Sequence, residues 1–173
     1  LLAGASCFTH LFNAMPPMAG REPGVVGAAI NSKAYVGIIC DGIHVEDEMV
    51  GLAIRARPVP DRTYIVSDAM PTVGGPPAFD LYGTTIRLED RRLVNSEGSL
   101  AGAHTTQSEG VKRLVRNIQL PPEEALRMAI TIPSNVIGLR LDQIEERNIH
   151  DLICLDCNLE FVGFLASVLS LDT

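Results

Sequence analysis

The sequence predicts an α/β fold of successive strand–helix units, and three observations carry that prediction. Apolar runs of strand length recur at residues 5–9, 34–40 and 62–67, and each runs out on residues with chemistry to offer: His10, then Asp41 and His44, then Asp68. Stretches with apolar residues at helical spacing stand between and after these runs. The distances between the polar ends suit consecutive βα units, whose parallel strands bring their C-terminal ends to one mouth.

The first element is a short strand at residues 5–9. Behind it lies a loop, 10–24, that holds His10, an amide (Asn13), three prolines, Arg21 and two glycines. A histidine at a strand end with an arginine shortly after it suits a site that holds a metal and an anion together, while a capped turn with a surface arginine is the plainer alternative. Residues 25–30 form a short helix. Residues 34–40 are apolar throughout, as in a parallel strand buried on both faces. The next helix, 46–57, places Val50, Ala53 and Ile54 on one stripe, with acids first and arginines last, and Pro58 ends it. Residues 62–67 repeat the strand and lead into Asp68. In a (β/α)8 barrel the site lies at the C-terminal ends of the strands, where all these candidates fall.

From 79 to 102 the rhythm changes. Residues 84–88 and 92–95, around Glu89-Asp90-Arg91, predict a β-hairpin. Gly74-Gly75-Pro76-Pro77 before it reads as a turn or loop. An amphipathic helix follows at 106–118, with Val111, Leu114, Val115 and Ile118 on one side. Pro122 opens another that should run to Pro133. A last short helix spans 134–139, stopped at Gly138. Residues 151–156 look like one more strand.

Composition narrows the partners. The 173 residues are 46% hydrophobic, ample for a sizeable core. A net charge of −7 and a pI near 5.0 argue against nucleic acid or an anionic membrane surface as the main partner. No apolar run is long enough for a membrane span and the first residues lack a signal peptide's charged start, so a cytoplasmic location is expected. Cys7, Cys40, Cys154 and Cys157 are too scattered for a disulfide scaffold and are read as reduced; Cys154-Leu-Asp-Cys157 has no second pair to make a zinc site with.

Four blocks carry a resemblance: Thr9-His-Leu-Phe-Asn-Ala-Met15 with Gly20-Arg-Glu-Pro-Gly24 behind it, Asp41-Gly-Ile-His44-Val, Val66-Ser-Asp68-Ala-Met, and Gly98-Ser-Leu-Ala-Gly102. In order and spacing they resemble the N-acetylglucosamine-6-phosphate deacetylases of the amidohydrolase superfamily, and the resemblance covers the C-terminal half of that family. It implies the C-terminal part of a (β/α)8 barrel over residues 1–140 with a β insertion at 79–102. Residues 141–173 would return towards a small β-sandwich domain, with the strand's partners coming mostly from residues upstream of this chain. The late residues Asp142, Arg147 and His150, and the tail from Phe161, depart from the pattern.

The implied activity is metal-dependent hydrolysis of N-acetylglucosamine 6-phosphate to glucosamine 6-phosphate and acetate. The cofactor would be a divalent ion, zinc by preference, which makes hydroxide available near neutral pH. On this resemblance His10 is a metal ligand, joined by a glutamate and a histidine upstream of residue 1, and Asp68 is the general base. Arg21 and His44 would bind the 6-phosphate, Asn13 and Ala14 would meet the substrate through the loop, and Leu100, Ala101 and Gly102 through backbone. Each has a plainer reading: Asp68 as a cap or ion-pair partner, Arg21 as a surface residue, His44 as an ordinary strand-end histidine. His104 and His150 read as surface or supporting residues. Expected partners are the phosphorylated amino sugar and either a second copy, as a dimer, or an N-terminal half. Another amidohydrolase, such as a dihydroorotase or deaminase, would share His10 and Asp68 without needing Arg21. A truncated, non-catalytic binding fragment is the reading from another class.

Overall fold

A computed structural model of the chain describes residues 1–139 and 146–170. Three parallel strands, β1 (Cys7–Phe8), β2 (Tyr35–Ile39) and β3 (Thr63–Val66), form one sheet in the order β1-β2-β3. Helix α1 (Gly24–Asn31) joins the first pair and α2 (Asp47–Arg55) the second, as the strand–helix alternation predicts. Phe8 lies opposite Val36, and Ile39 opposite Val66, so the last residues of β2 and β3 are level.

Period-two alternation sorts the sheet's side chains. Val36, Ile38, Cys40 and Ile65 enter a core with Val26, Ala29, Val50, Val111, Leu114 and Met128 from the helices. The opposite face carries Tyr64, whose hydroxyl lies 3.0 Å from the Cys7 thiol of β1. It gets there across Gly37 of β2, where a Cβ would come within 3.1 Å of the ring. Val36 to Ile39 are buried, which is why this strand reads as an unbroken apolar run.

A four-stranded antiparallel sheet follows where a two-stranded hairpin was expected: β4 (Ala78–Leu81), β5 (Thr84–Glu89), β6 (Arg92–Val94) and β7 (Leu100–Ala103). Two-residue turns with left-handed backbone, Tyr82-Gly83 and Asp90-Arg91, connect β4 to β5 and β5 to β6. Such turns match the twist of paired strands. The first escaped the sequence because tyrosine is not a turn residue by type.

Thr106 caps α3 (Gln107–Arg116): its hydroxyl accepts the Glu109 N–H at 3.2 Å and the Glu109 carboxylate accepts the Thr106 N–H at 2.7 Å. The expected helix from Pro122 to Pro133 is instead two, α4 (Pro122–Ala129) and α5 (Thr131–Val136), broken at Ile130. Pro133 lies inside the first turn of α5, where an N–H has no helical partner to lose, so it does not end a helix there. Leu114 of α3 is fully enclosed in the core. Leu114→Ala should lower unfolding stability by about 2–5 kcal/mol in a denaturant titration; a loss under about 1 kcal/mol would show that the helix layer does not depend on this contact.

The strand expected at 151–156 is β8 (Ile153–Leu155), and its partner is β9 (Phe161–Phe164) of this same chain, followed by α6 (Leu165–Ser170). This partner within the chain was not expected from the sequence. Asp156 reverses the chain by accepting the N–H groups of Asn158 and Glu160 at 2.8 and 2.9 Å. The turn is tied back to α3 by a Lys112–Glu160 ion pair and by Arg116 on the Asn158 carbonyl. Asp142 lies outside the described residues.

Candidate functional site

Each strand of the parallel sheet hands its chain to a polar residue two positions past its end: His10 after Phe8, Asp41 after Ile39, Asp68 after Val66. They gather at the same edge because parallel strands share one direction. Left-handed backbone marks this edge: φ is 31° at His10, 54° at Ala14 and 51° at Asp68. A residue other than glycine held there costs of order 1–3 kcal/mol and persists where its surroundings over-determine it.

His10 is half-buried, and its Nδ1 is buried without a hydrogen-bond partner. A buried imidazole nitrogen left unpaired is costly unless something binds it, which fits a metal ligand. Among the described residues no group of three or more His, Cys, Asp or Glu is placed to hold an ion. Leu11 ties this loop to β2 by giving its N–H to the Gly37 carbonyl at 2.8 Å. Asn13, half-buried, turns its amide onto the Leu11 carbonyl. Arg21 is exposed on a tight turn closed by Ala19 and Glu22, and forms no hydrogen bond or ion pair with the described residues. Its guanidinium is thus uncommitted among the described residues.

Asp41, His44 and the glycine between them make one unit. The Asp41 carboxylate accepts the N–H groups of Ile43 and His44 with one oxygen, each at 2.9 Å, and its other oxygen lies 2.8 Å from His44 Nδ1. Gly42 has φ +69°, and a Cβ there would strike the Arg113 guanidinium, which is anchored on Asp47. Burial alone would raise the Asp41 pKa, but the hydrogen bonds from His44 and Ile43 hold it below the ordinary carboxylate value. Next door, burial pushes the Cys40 thiol up to about 12, which keeps it protonated and inert. A cleft of about 270 Å³, lined by Asp41, Arg91, Glu109, Lys112 and Arg113 among others, runs beside the unit.

Asp68 is exposed, and the returning strand β7 holds its backbone. The Ala103 N–H bonds to the Asp68 carbonyl at 2.9 Å and the Met70 N–H to the Ala103 carbonyl at 3.0 Å. Gly102, φ +81°, has no room for a Cβ, which would run into Met70. Leu100, Ala101 and Gly102 are thus strand residues whose end is stitched to the Asp68 segment. His104, expected to be a surface or supporting residue, is half-buried and paired with the buried Thr72 at 2.9 Å; His150 is exposed. Sequence reasoning noted Asp41 at the strand end but gave it no role, and passed over Thr72. An aspartate three residues before a histidine with a glycine after it is a turn signature that could have pointed to Asp41; nothing local marks Thr72.

No model of a protein family matches the chain. It is 36% identical over 166 residues, 92% of this chain and 43% of the relative, to N-acetylglucosamine-6-phosphate deacetylase of Haemophilus influenzae. A shorter sequence of Escherichia coli (strain K12), provisionally named an N-acetylgalactosamine-6-phosphate deacetylase, is 30% identical, and the match takes in 75% of this chain and 78% of that one. The chain belongs to the N-acetylglucosamine-6-phosphate deacetylase family. The crystal structure of the Pasteurella multocida deacetylase superposes with a TM-score of 0.84 at 37% identity, over 93% of this chain and 43% of that one. The Thermotoga maritima deacetylase gives 0.80 at 26% identity, over 92% and 44%. The chain thus spans about two fifths of the full-length deacetylases it matches.

Proposed function

We propose that the chain supplies part of the active site of an enzyme that hydrolyses N-acetylglucosamine 6-phosphate to glucosamine 6-phosphate and acetate, in cytoplasmic amino-sugar catabolism. The observation that carries this reading is the gathering of His10, the Asp41–His44 unit and Asp68 at one end of a parallel sheet, in a member of this family. On this reading β1, β2 and β3 are an arc of a (β/α)8 barrel over residues 1–140, with the β insertion at 79–102 and residues 141–173 turning towards a small β-sandwich. The outer edges of β1 and β3 would be covered by an N-terminal half or, in a dimer, by a second copy.

His10 would hold a divalent ion, zinc by preference, through an imidazole nitrogen. When bound, the ion supplies a Lewis acid that makes hydroxide available near pH 7. Asp68, free at the mouth, takes a proton from the attacking water and returns it to the departing amine. Arg21 and His44 hold the 6-phosphate, the guanidinium offering a fork of donors that suits its oxygens. Asn13, Ala14 and the backbone of Leu100, Ala101 and Gly102 border the sugar. That Arg21 has no partner among the described residues supports its role, because a cation already committed to a carboxylate would have to give it up on binding.

The test is acetate release from N-acetylglucosamine 6-phosphate, by this chain alone and by the assembled enzyme, meaning this chain together with residues that complete the ligand set. With one ligand of its own, the chain alone should release none even with added Zn²⁺, and assembly should confer activity. Arg21→Ala in the assembled enzyme should then weaken the phosphorylated substrate by roughly 1.5–3 kcal/mol and leave N-acetylglucosamine nearly unaffected. Turnover by the chain alone would overturn the shared-ligand account; equal losses on both substrates would move Arg21 away from the phosphate.

A further inference from the structure

The Asp41–His44 contact does more than shape a turn. The Asp41 side chain is 3% exposed and that of His44 is 7% exposed, so the pair is almost wholly enclosed. Asp41 uses one oxygen for the two backbone N–H groups and reserves the other for the ring. A carboxylate that accepts three N–H bonds is ionised and has no proton to give. The hydrogen between it and the ring therefore belongs to His44 Nδ1. Nε2 has no partner among the described residues and is the nitrogen left for a ligand. Arg113 lies over Gly42 and engages Asp47, and Arg91, Glu109 and Lys112 line the cleft beside the unit.

We propose that Asp41 is a positioning residue, which keeps the hydrogen of His44 on Nδ1 and holds the ring so that Nε2 is the nitrogen offered to the substrate. The substrate part of this rests on the reading of His44 given above; the position of the hydrogen does not. The arrangement gives Asp41 a purpose that the turn alone would not require. Asparagine would serve the two backbone N–H groups equally well, but its NH₂ would face Nδ1, and the neutral ring would answer by moving its hydrogen to Nε2.

The experiment uses the chain labelled with ¹⁵N-histidine and long-range ¹H–¹⁵N correlation spectra, recorded near pH 8. With four histidines in the chain, a His44→Gln sample assigns the signal. In the unsubstituted chain Nδ1 of His44 should carry hydrogen; a bare Nδ1 would overturn the proposal without recourse to any variant. In Asp41→Asn the hydrogen should move to Nε2 while the signals of His10, His104 and His150 stay in place. An unmoved hydrogen in a folded variant would also overturn it. In the assembled enzyme, Asp41→Asn should raise KM for N-acetylglucosamine 6-phosphate about 10–100-fold, the range typical of removing a histidine's orienting partner, with a smaller change in kcat. It should cost nothing further on a His44→Gln background. A moved hydrogen with unchanged KM would retain Asp41 as the positioning residue and remove His44 from the substrate site; additive losses in the double variant would show Asp41 acting on something other than His44.

Discussion

Replacing Asp68 by asparagine should lower turnover of the assembled enzyme by about 10²–10⁴-fold and leave its metal in place. The substitution removes the proton acceptor and keeps the volume. It is unusually clean here because the backbone at this position is held from outside: the Ala103 N–H grips the Asp68 carbonyl and the Ala103 carbonyl takes the Met70 N–H. Asparagine also tolerates the left-handed conformation that Asp68 adopts, so the loop need not move. The measurement is kcat alongside elemental analysis and a thermal melt of the same samples. Metal lost together with activity would make Asp68 a ligand and not a base. Full activity would send the reading of Asp68 back to a cap or a surface carboxylate.

His10→Ala should do the opposite, removing bound metal and activity together, since the site loses one of its few ligands. The structure adds a distinguishing detail. His10 Nδ1 is buried with no partner, so its removal sacrifices no hydrogen bond in the metal-free protein and relieves an uncompensated polar atom. Metal-free samples should therefore melt no lower than the unsubstituted protein, apart from the cost of placing alanine at φ 31°. What disappears is the rise in Tm on adding Zn²⁺, because an ion stabilises only the state that binds it. Metal content and Zn²⁺-dependent Tm both unchanged would show that His10 is not a ligand.

Much of this was legible in the chain because it is local. β2 announces itself as an apolar run because its residues from Val36 to Ile39 are covered, and α3 falls within the amphipathic stretch 106–118. The polar residues after β1, β2 and β3 could be picked out one by one. The misses are equally specific. β4 and β7 carry sequences, Ala-Phe-Asp-Leu and Leu-Ala-Gly-Ala, without the alternation that marks a half-buried strand; they are strands because β5, β6 and the Asp68 segment satisfy their backbones. β9 was unreadable because its pairing with β8 depends on a reversal built by the Asp156 carboxylate. The break at Ile130 follows from where Pro133 falls within a turn, which no residue count before it reveals.

By itself, then, the sequence determined which residue types stand at the strand ends, which helix faces are apolar, and that the chain alternates strand and helix before a β-hairpin. Those follow from periodicity and residue chemistry, which are properties of neighbours along the chain. Only the tertiary structure decided that the Asp41 carboxylate meets His44 Nδ1, that Ala103 clamps Asp68, that Thr72 meets His104, and that His10 Nδ1 is enclosed without a partner. These are matters of distance, burial and backbone hydrogen bonding, and a backbone N–H or carbonyl is the same group at every position, so no residue letter records which of them will meet.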